Sequence, residues 1–265
     1  MASLSAEEVA HYRREGYVVP HYRLPEARVR ELAGALDKLI ADNPGVRPEK
    51  LVSAHIERPG GNDEGVRGSR KFLELAMDPE ILDLVEAAIG PDIILWGAHV
   101  FCKPAAEGYP TPWHQDGHYW PMRPLANCTV WVALEQSILE NGCLKVIPRS
   151  HEARITHAHL REDREDLTLT MRTRDDLVDE SKAVALELQP GQMSMHDVFL
   201  IHGAERNTSG KRRTGIALRY MPGTSVFERN ISLGGTGVPT AFATRPLWLL
   251  RGRDRTGRND FEVGH

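Results

Sequence analysis

The chain has 265 residues and a net charge of −4 at pH 7, with both signs dispersed, which offers no electrostatic case for a nucleic acid or membrane partner. Its three cysteines, Cys102, Cys128 and Cys143, are too few and too odd in number for a disulfide framework; each lies in an apolar run and reads as a buried free thiol suited to a reducing cytoplasm. The start lacks the basic and apolar regions of a signal peptide, and no apolar run approaches the roughly 18 residues of a membrane span.

Taken in order, Ser5 and Glu8 form a capping box that opens a helix running to about Glu15 and stopping at Gly16. Tyr17-Val18-Val19 reads as a short strand. Pro25 opens a second helix with Val29, Leu32, Leu36 and Leu39 on its buried face, ending before Asn43. Residues 44–70 read as one strand, Leu51 to Ile56, followed by a mobile loop around Gly60. Asp78-Pro79 caps a helix that buries Ile81, Leu82, Val85 and Ile89 and stops at Gly90-Pro91.

From Ile93 the pattern becomes strand, turn, strand: Ile93–Lys103, Cys128–Leu134, Cys143–Ile147, Ala183–Leu188, Met193–Ile201 and Arg213–Tyr220. Helices first and strands afterwards predict a mainly β, α+β fold. A helical part covers about 1–92, a sheet core about 93–222 and a tail 223–265, within one domain over 1–265. The charged stretch 158–182 reads as a solvated insertion or as a lid over a site. The tail turns Gly-, Thr- and Arg-rich, and roughly its last fifteen residues are expected to be poorly ordered.

Chemistry concentrates at His114-Gln115-Asp116. In an extended segment, residues two apart project to the same side, so one imidazole and one carboxylate share a space. They make two thirds of the 2-His-1-carboxylate facial triad that binds non-haem Fe(II) and leaves positions open. His202, with Gly203 beside it at a strand end, is the candidate third ligand. Downstream, Arg213 shares a strand face with Gly215 and Ala217. One basic side chain above two nearly bare positions describes a slot for an anion. Lys211, Arg212 and Arg213 also read as a basic surface turn, and residue physics does not choose among the three.

At this point the chain resembles the phytanoyl-CoA dioxygenase family of Fe(II)/2-oxoglutarate oxygenases. His114-Gln-Asp-x-His-Tyr-x-Pro, the Trp131 strand, Asn141-Gly-Cys-Leu-Lys-Val-Ile-Pro-x-Ser-His151 and His202-Gly-x(3)-Asn207…Arg213 occur in the family's order and spacing, over roughly residues 5–222. The resemblance implies a double-stranded β-helix (jelly-roll) core with N-terminal helices packed on one sheet. It implies iron held by His114, Asp116 and His202, with Arg213 on the distal carboxylate of 2-oxoglutarate. It also places Trp131 in the cosubstrate pocket, and puts His99 where relatives often have a methionine near the cosubstrate. His118 and Tyr119 are candidate substrate groups, or loop packing. Ala204 stands where relatives commonly have Ser, and His151 belongs to a structural turn. His157, His159 and His196 have no assignable partner and read as surface or core.

The implied reaction consumes O2 and 2-oxoglutarate, releases succinate and CO2, and hydroxylates a C–H bond of a small molecule. With Asp116 present, oxidation is expected in place of halogenation. A cupin-type metalloenzyme that does not use 2-oxoglutarate, or a non-catalytic sensor on the same barrel, are the alternatives. Neither substrate nor oligomeric state is readable.

Overall fold

The computed structural model describes residues 3–231 and 242–265. The helices are α1 (Ala6–Glu15), α2 (Glu26–Asp42), α3 (Arg70–Ala76) and α4 (Pro79–Ile89), with strands β1 (Tyr17–Val18) and β2 (Leu51–Val52) among them. The remaining strands are β3 (Ile93–Lys103), β4 (Thr111–His114), β5 (Met122–Arg123), β6 (Cys128–Ala133), β7 (Leu144–Val146), β8 (His159–Arg161), β9 (Met171–Thr173), β10 (Val184–Leu186), β11 (Met193–Asp197), β12 (His202–Ala204), β13 (Arg213–Pro222), β14 (Val226–Phe227) and β15 (Trp248–Arg251). Among the described residues no helix is long and apolar enough to cross a membrane.

Local chemistry explains the helix ends. The Ser5 hydroxyl accepts from the Glu8 amide while the Glu8 carboxylate accepts from the Ser5 amide, and Gly16 closes α1 in the left-handed region at φ 84°. The Asp78 side chain accepts from the Glu80 amide at the head of α4, with Pro79 at its first position. In place of the strand and mobile loop expected over 44–70, only Leu51–Val52 is extended, and α3 begins at Arg70, capped by Ser69. Seven residues are too few to establish a helical period in the sequence.

Two antiparallel sheets face each other. The larger runs β1-β11-β6-β13-β3-β15, with β2 also on β3; the smaller runs β10-β7-β12-β4. Alternation splits the larger sheet cleanly. Val130, Val132, Ile216, Leu218 and Tyr220 join Leu32, Leu36, Phe72 and Val85 in the main core under the helices, and Tyr220 hydrogen-bonds the Ala76 carbonyl at 2.9 Å. The alternate residues of β6 and β13 face the smaller sheet. This is a double-stranded β-helix with the helices on its larger sheet.

Three further expectations change. The Met193–Ile201 run is not one strand: β11 ends at Asp197, whose carboxylate accepts from the Phe199 amide at 2.9 Å, and the chain turns before β12. The stretch 158–182 carries the β8–β9 pair and packs on the rest through Tyr119, whose hydroxyl donates to the Met171 carbonyl at 3.0 Å. The last fifteen residues are tied down. The Asn259 amide donates to the Ser225 carbonyl, its carbonyl accepts from the Phe227 amide, Arg255 pairs with Asp92, and β15 extends the larger sheet beyond β3. Residues 232–241 of the tail lie outside the described residues.

Candidate active site

Register brings the expected ligands together. β12 pairs with β4 so that His202 stands directly opposite His114. Gln115 is extended, at φ −112° and ψ 129°, which carries Asp116 to the same side as His114 even though a 3-10 turn begins there. The His114 Nε2 lies 3.6 Å and the His202 Nε2 3.9 Å from the Asp116 Oδ1. One ligand atom from each residue falls within 4.8 Å of the others, close enough for one metal ion.

The ring orientations suit a metal. The Nδ1 atoms of His114 and His202 each sit 2.9 Å from a backbone carbonyl, of Pro112 and Leu200. Donation to those carbonyls fixes the tautomer and leaves both Nε2 lone pairs free to bind. Burial, with His114 and His196 nearby, pushes the His202 ring well below its usual range, so it stays neutral. Burial pushes the Asp116 carboxyl up, but hydrogen bonds to His114 and His196 and the field of His202 outweigh it, leaving the carboxyl well below its usual range.

Gln115 holds the turn. Its side chain donates to the Phe199 carbonyl at 2.7 Å and accepts from the His157 amide at 2.7 Å, while its own amide donates to the His159 Nε2 at 3.1 Å. Thr129 on β6 contributes a longer contact, 3.4 Å from the Asp116 Oδ2.

Arg213 marks one end of the same cavity. It is 3% exposed, donates to the Gly142 carbonyl at 2.6 Å, and has no carboxylate partner among the described residues; its Nε has no partner at all. Burial brings its guanidinium down to about 10, still charged at neutral pH. Its neighbours in the sequence are not alternatives: Arg212 pairs with Glu135 and Asp37, and Lys211 is exposed. The bare slot expected over Gly215 is filled. The Trp131 ring occupies it so closely that a Cβ at Gly215 would lie 2.0 Å from a ring carbon. The Arg213 guanidinium sits 5.2 Å over that ring. An unpaired buried cation beside an aromatic wall fits the distal carboxylate of a 2-oxo acid, just as the lone pairs described above fit a divalent metal.

Sequence reasoning placed His99 near this pocket, and His99 lines it. Its ring stacks on Phe101 at 4.0 Å, Nε2 lies 3.3 Å from the Glu49 carbonyl, and burial holds it neutral, at about 3. Tyr119 also lines the cavity, whereas His118 does not; the His118 ring is drawn to the β8–β9 pair by stacking on His159 at 4.0 Å. His151 has a structural place, its Nε2 3.1 Å from the Arg13 carbonyl at the end of α1.

Among the cavity residues that sequence reasoning missed, two stand close to the candidate ligands or on the Arg213 face. His196 stands with its Nε2 3.4 Å from the Asp116 Oδ2. Arg219, six residues after Arg213 on the same face of β13, reaches the cavity from the other end. A signal existed for both. Ser194 and His196 are polar at alternate positions between Met193, Met195 and their apolar neighbours, and Arg219 continues the Arg213, Gly215, Ala217 face.

The sequence profile of the phytanoyl-CoA dioxygenase family matches residues 12–215. The chain belongs to the phytanoyl-CoA dioxygenase family. The peroxisomal phytanoyl-CoA dioxygenase of Homo sapiens is 24% identical over 282 aligned residues, covering 94% of this chain and 82% of the human protein. Among solved structures, the apo form of the non-heme monooxygenase ThoJ superposes with a TM-score of 0.71 at 22% identity, over 93% of this chain and 84% of ThoJ. The epimerase SnoN, in complex with Fe3+, alpha ketoglutarate and nogalamycin RO, gives a TM-score of 0.67 at 24% identity, over 88% and 91% of the two chains. These likenesses agree with the jelly-roll architecture of the family.

Proposed function

We propose that the protein is an Fe(II)- and 2-oxoglutarate-dependent oxygenase that hydroxylates a C–H bond of a small molecule. One observation carries this reading: the convergent His114, Asp116 and His202 share a cavity with an unpaired, buried Arg213. Ferrous iron and 2-oxoglutarate bound there would couple O2 activation to release of succinate and CO2, and deliver the oxidation to the substrate.

The chain's own residues set the geometry. His114 and His202 would offer imidazole nitrogens and Asp116 an anionic oxygen to the metal, a ligand set that would leave it net positive charge and open positions. Arg213 grips the distal carboxylate of the 2-oxo acid, and Trp131 walls the cosubstrate away from water. His99 and Ala204 line the same cavity. His99, held neutral, contributes shape and not charge to the head-group region. Tyr119 faces the substrate space, and His118 supports it from behind through the stack on His159. With Asp116 occupying a ligand position, chloride has no vacated site, so chlorinated product is not expected.

An anaerobic titration with Fe(II) and 2-oxoglutarate, followed by succinate assay in air, tests the reading. Wild-type protein develops the visible charge-transfer band of a chelated 2-oxo acid. Arg213→Ala weakens 2-oxoglutarate binding by roughly 10- to 100-fold, as expected for about 1.5–3 kcal/mol from a charge-assisted hydrogen-bonded pair. Full activity in Arg213→Ala would sink the 2-oxoglutarate assignment.

A further inference from the structure

Arg219 lines the candidate active-site cavity, yet no part of the proposed chemistry uses it. It faces the Asp116 end: Arg219 pairs in register with Thr129, the residue that contacts the Asp116 carboxylate. Arg213 stands at the opposite end of the same strand face, roughly 20 Å away along β13 at the rise of an extended chain. The candidate metal ligands therefore lie between two arginines.

The surroundings of Arg219 are built around it. Arg219 pairs with Gly97 and Tyr220 with Leu95, so β3 has one extra residue, Trp96. This bulge turns both Trp96 and Gly97 toward the cavity, a use bulges have beside functional sites. Gly97 lies against the arginine stem, at ordinary contact distance: a Cβ there would be 3.7 Å from the Arg219 Cδ. The guanidinium rests 5.5 Å from the Trp96 ring and 5.1 Å from the Trp120 ring. Trp96 is itself fixed, donating to the Asn127 side chain at 2.8 Å, which donates in turn to Thr129 at 3.1 Å.

What Arg219 lacks is an anion. Among the described residues it has neither a hydrogen-bond partner for its Nε nor a carboxylate within ion-pair distance. The neighbouring cavity arginine, Arg245, differs because it is paired with Glu64 and bonded to Ser53. Counting formal charges makes the point sharper. On the reading proposed above, a divalent metal, Asp116, doubly charged 2-oxoglutarate and Arg213 sum to zero. Arg245 and Glu64 also cancel, leaving one positive charge, on Arg219. The walls there are apolar and aromatic, with Tyr119, Trp120, Leu169 and Phe242.

We infer that Arg219 is the specificity-determining residue that anchors an anionic group of the substrate, and that the substrate is a small organic acid or phosphorylated compound with an apolar body. The planar fork of arginine holds either oxyanion bidentately, while the aromatic walls hold the body beside the metal position. This inference rests on the oxygenase reading for the identity of the opposite end of the cavity.

The test is calorimetric, on protein loaded with Fe(II) and 2-oxoglutarate under argon, so that Arg213 is already occupied. The probes are hexanoate, hexyl phosphate and the neutral hexanamide. At least one anion should bind wild-type protein ten or more times tighter than hexanamide; which one does separates a carboxylate from a phosphate substrate. Arg219→Gln should erase the preference, and Arg219→Lys should restore part of it. The 2-oxoglutarate affinity of each variant shows that the site is still folded.

Equal binding of all three probes to wild-type protein would overturn the inference, as would an anion preference that survives in Arg219→Gln. A loss of 2-oxoglutarate affinity in Arg219→Gln equal to that in Arg213→Ala would also overturn it, by making Arg219 a cosubstrate ligand. If 2-oxoglutarate does not bind wild-type protein at all, the oxygenase reading fails; the same titrations on metal-free protein still decide whether Arg219 selects anions.

Discussion

Single residues hold this site with small tolerances. Gly215 is one: with Trp131 where its side chain would be, Gly215→Ala must displace the ring that walls Arg213. Overpacking of this kind costs about 1–3 kcal/mol, so urea denaturation of Gly215→Ala should show that loss together with weaker 2-oxoglutarate binding. His159 gives a pH prediction. Burial holds its ring at about 4 in the folded protein, against about 6.5 when unfolded. The unfolded chain therefore takes up the proton first, and stability falls as pH drops from about 6.5 toward 4. Urea midpoints at pH 7 and pH 4.5 should drop further for the wild type than for His159→Gln, which has no proton to gain. Spacing alone made only local pairs legible, and remote residues such as His202 and Arg213 were assigned through the family resemblance. His114 and Asp116 are two apart and declare themselves, whereas His196 and Arg219 acquire meaning only once β11 and β13 are laid beside β6.

At the scale of elements, the helices were legible because capping chemistry and apolar period agree, as at Ser5 and Glu8 or at Asp78 and Pro79. The long strands β3, β6 and β13 were legible as apolar runs bounded by turn residues. The pieces that escaped are short and owe their form to distant partners. α3 is held by packing of Phe72 and Leu75 in the main core, and β8 and β9 are extended because they pair with each other. Split between β11 and β12, the Met193–Ile201 run shows a turn hidden in apolar sequence, since Val198, Leu200 and Ile201 are buried there. The β8–β9 pair contributes to the cavity indirectly, through Leu169 in the wall and the Tyr119 hydroxyl on Met171. Tyr119→Phe removes that bond and leaves a buried carbonyl without it, which should cost about 1–3 kcal/mol; a lowered thermal midpoint would register it, and an unchanged one would show that the hairpin is held by its apolar contacts alone.

For the whole molecule, the tail is the largest departure from the sequence reading. Gly-, Thr- and Arg-rich composition resembles a disordered end, yet Arg255, Asn259 and Phe261 each have specific partners, and Phe261 packs against the cluster that contains Trp96 and Trp120. Composition missed this because the stabilising groups are polar contacts to remote residues, Asp92 and Ser225 among them. Truncation after Arg251 should therefore lower the thermal midpoint by several degrees, as loss of about 1 kcal/mol does in chains of this size; an unchanged midpoint would restore the expendable tail. The division of labour between the sheets has a further consequence. His114 and His202 belong to the smaller sheet, while Arg213, Trp131, His99 and Arg219 stand on the larger one. On the proposed reading, the ion and the organic reactants would be gripped by opposite jaws, with the alternate positions of β13 forming a row on the organic side. Descendants of this scaffold could exchange what they oxidise by rewriting that row, without disturbing how the ion is kept.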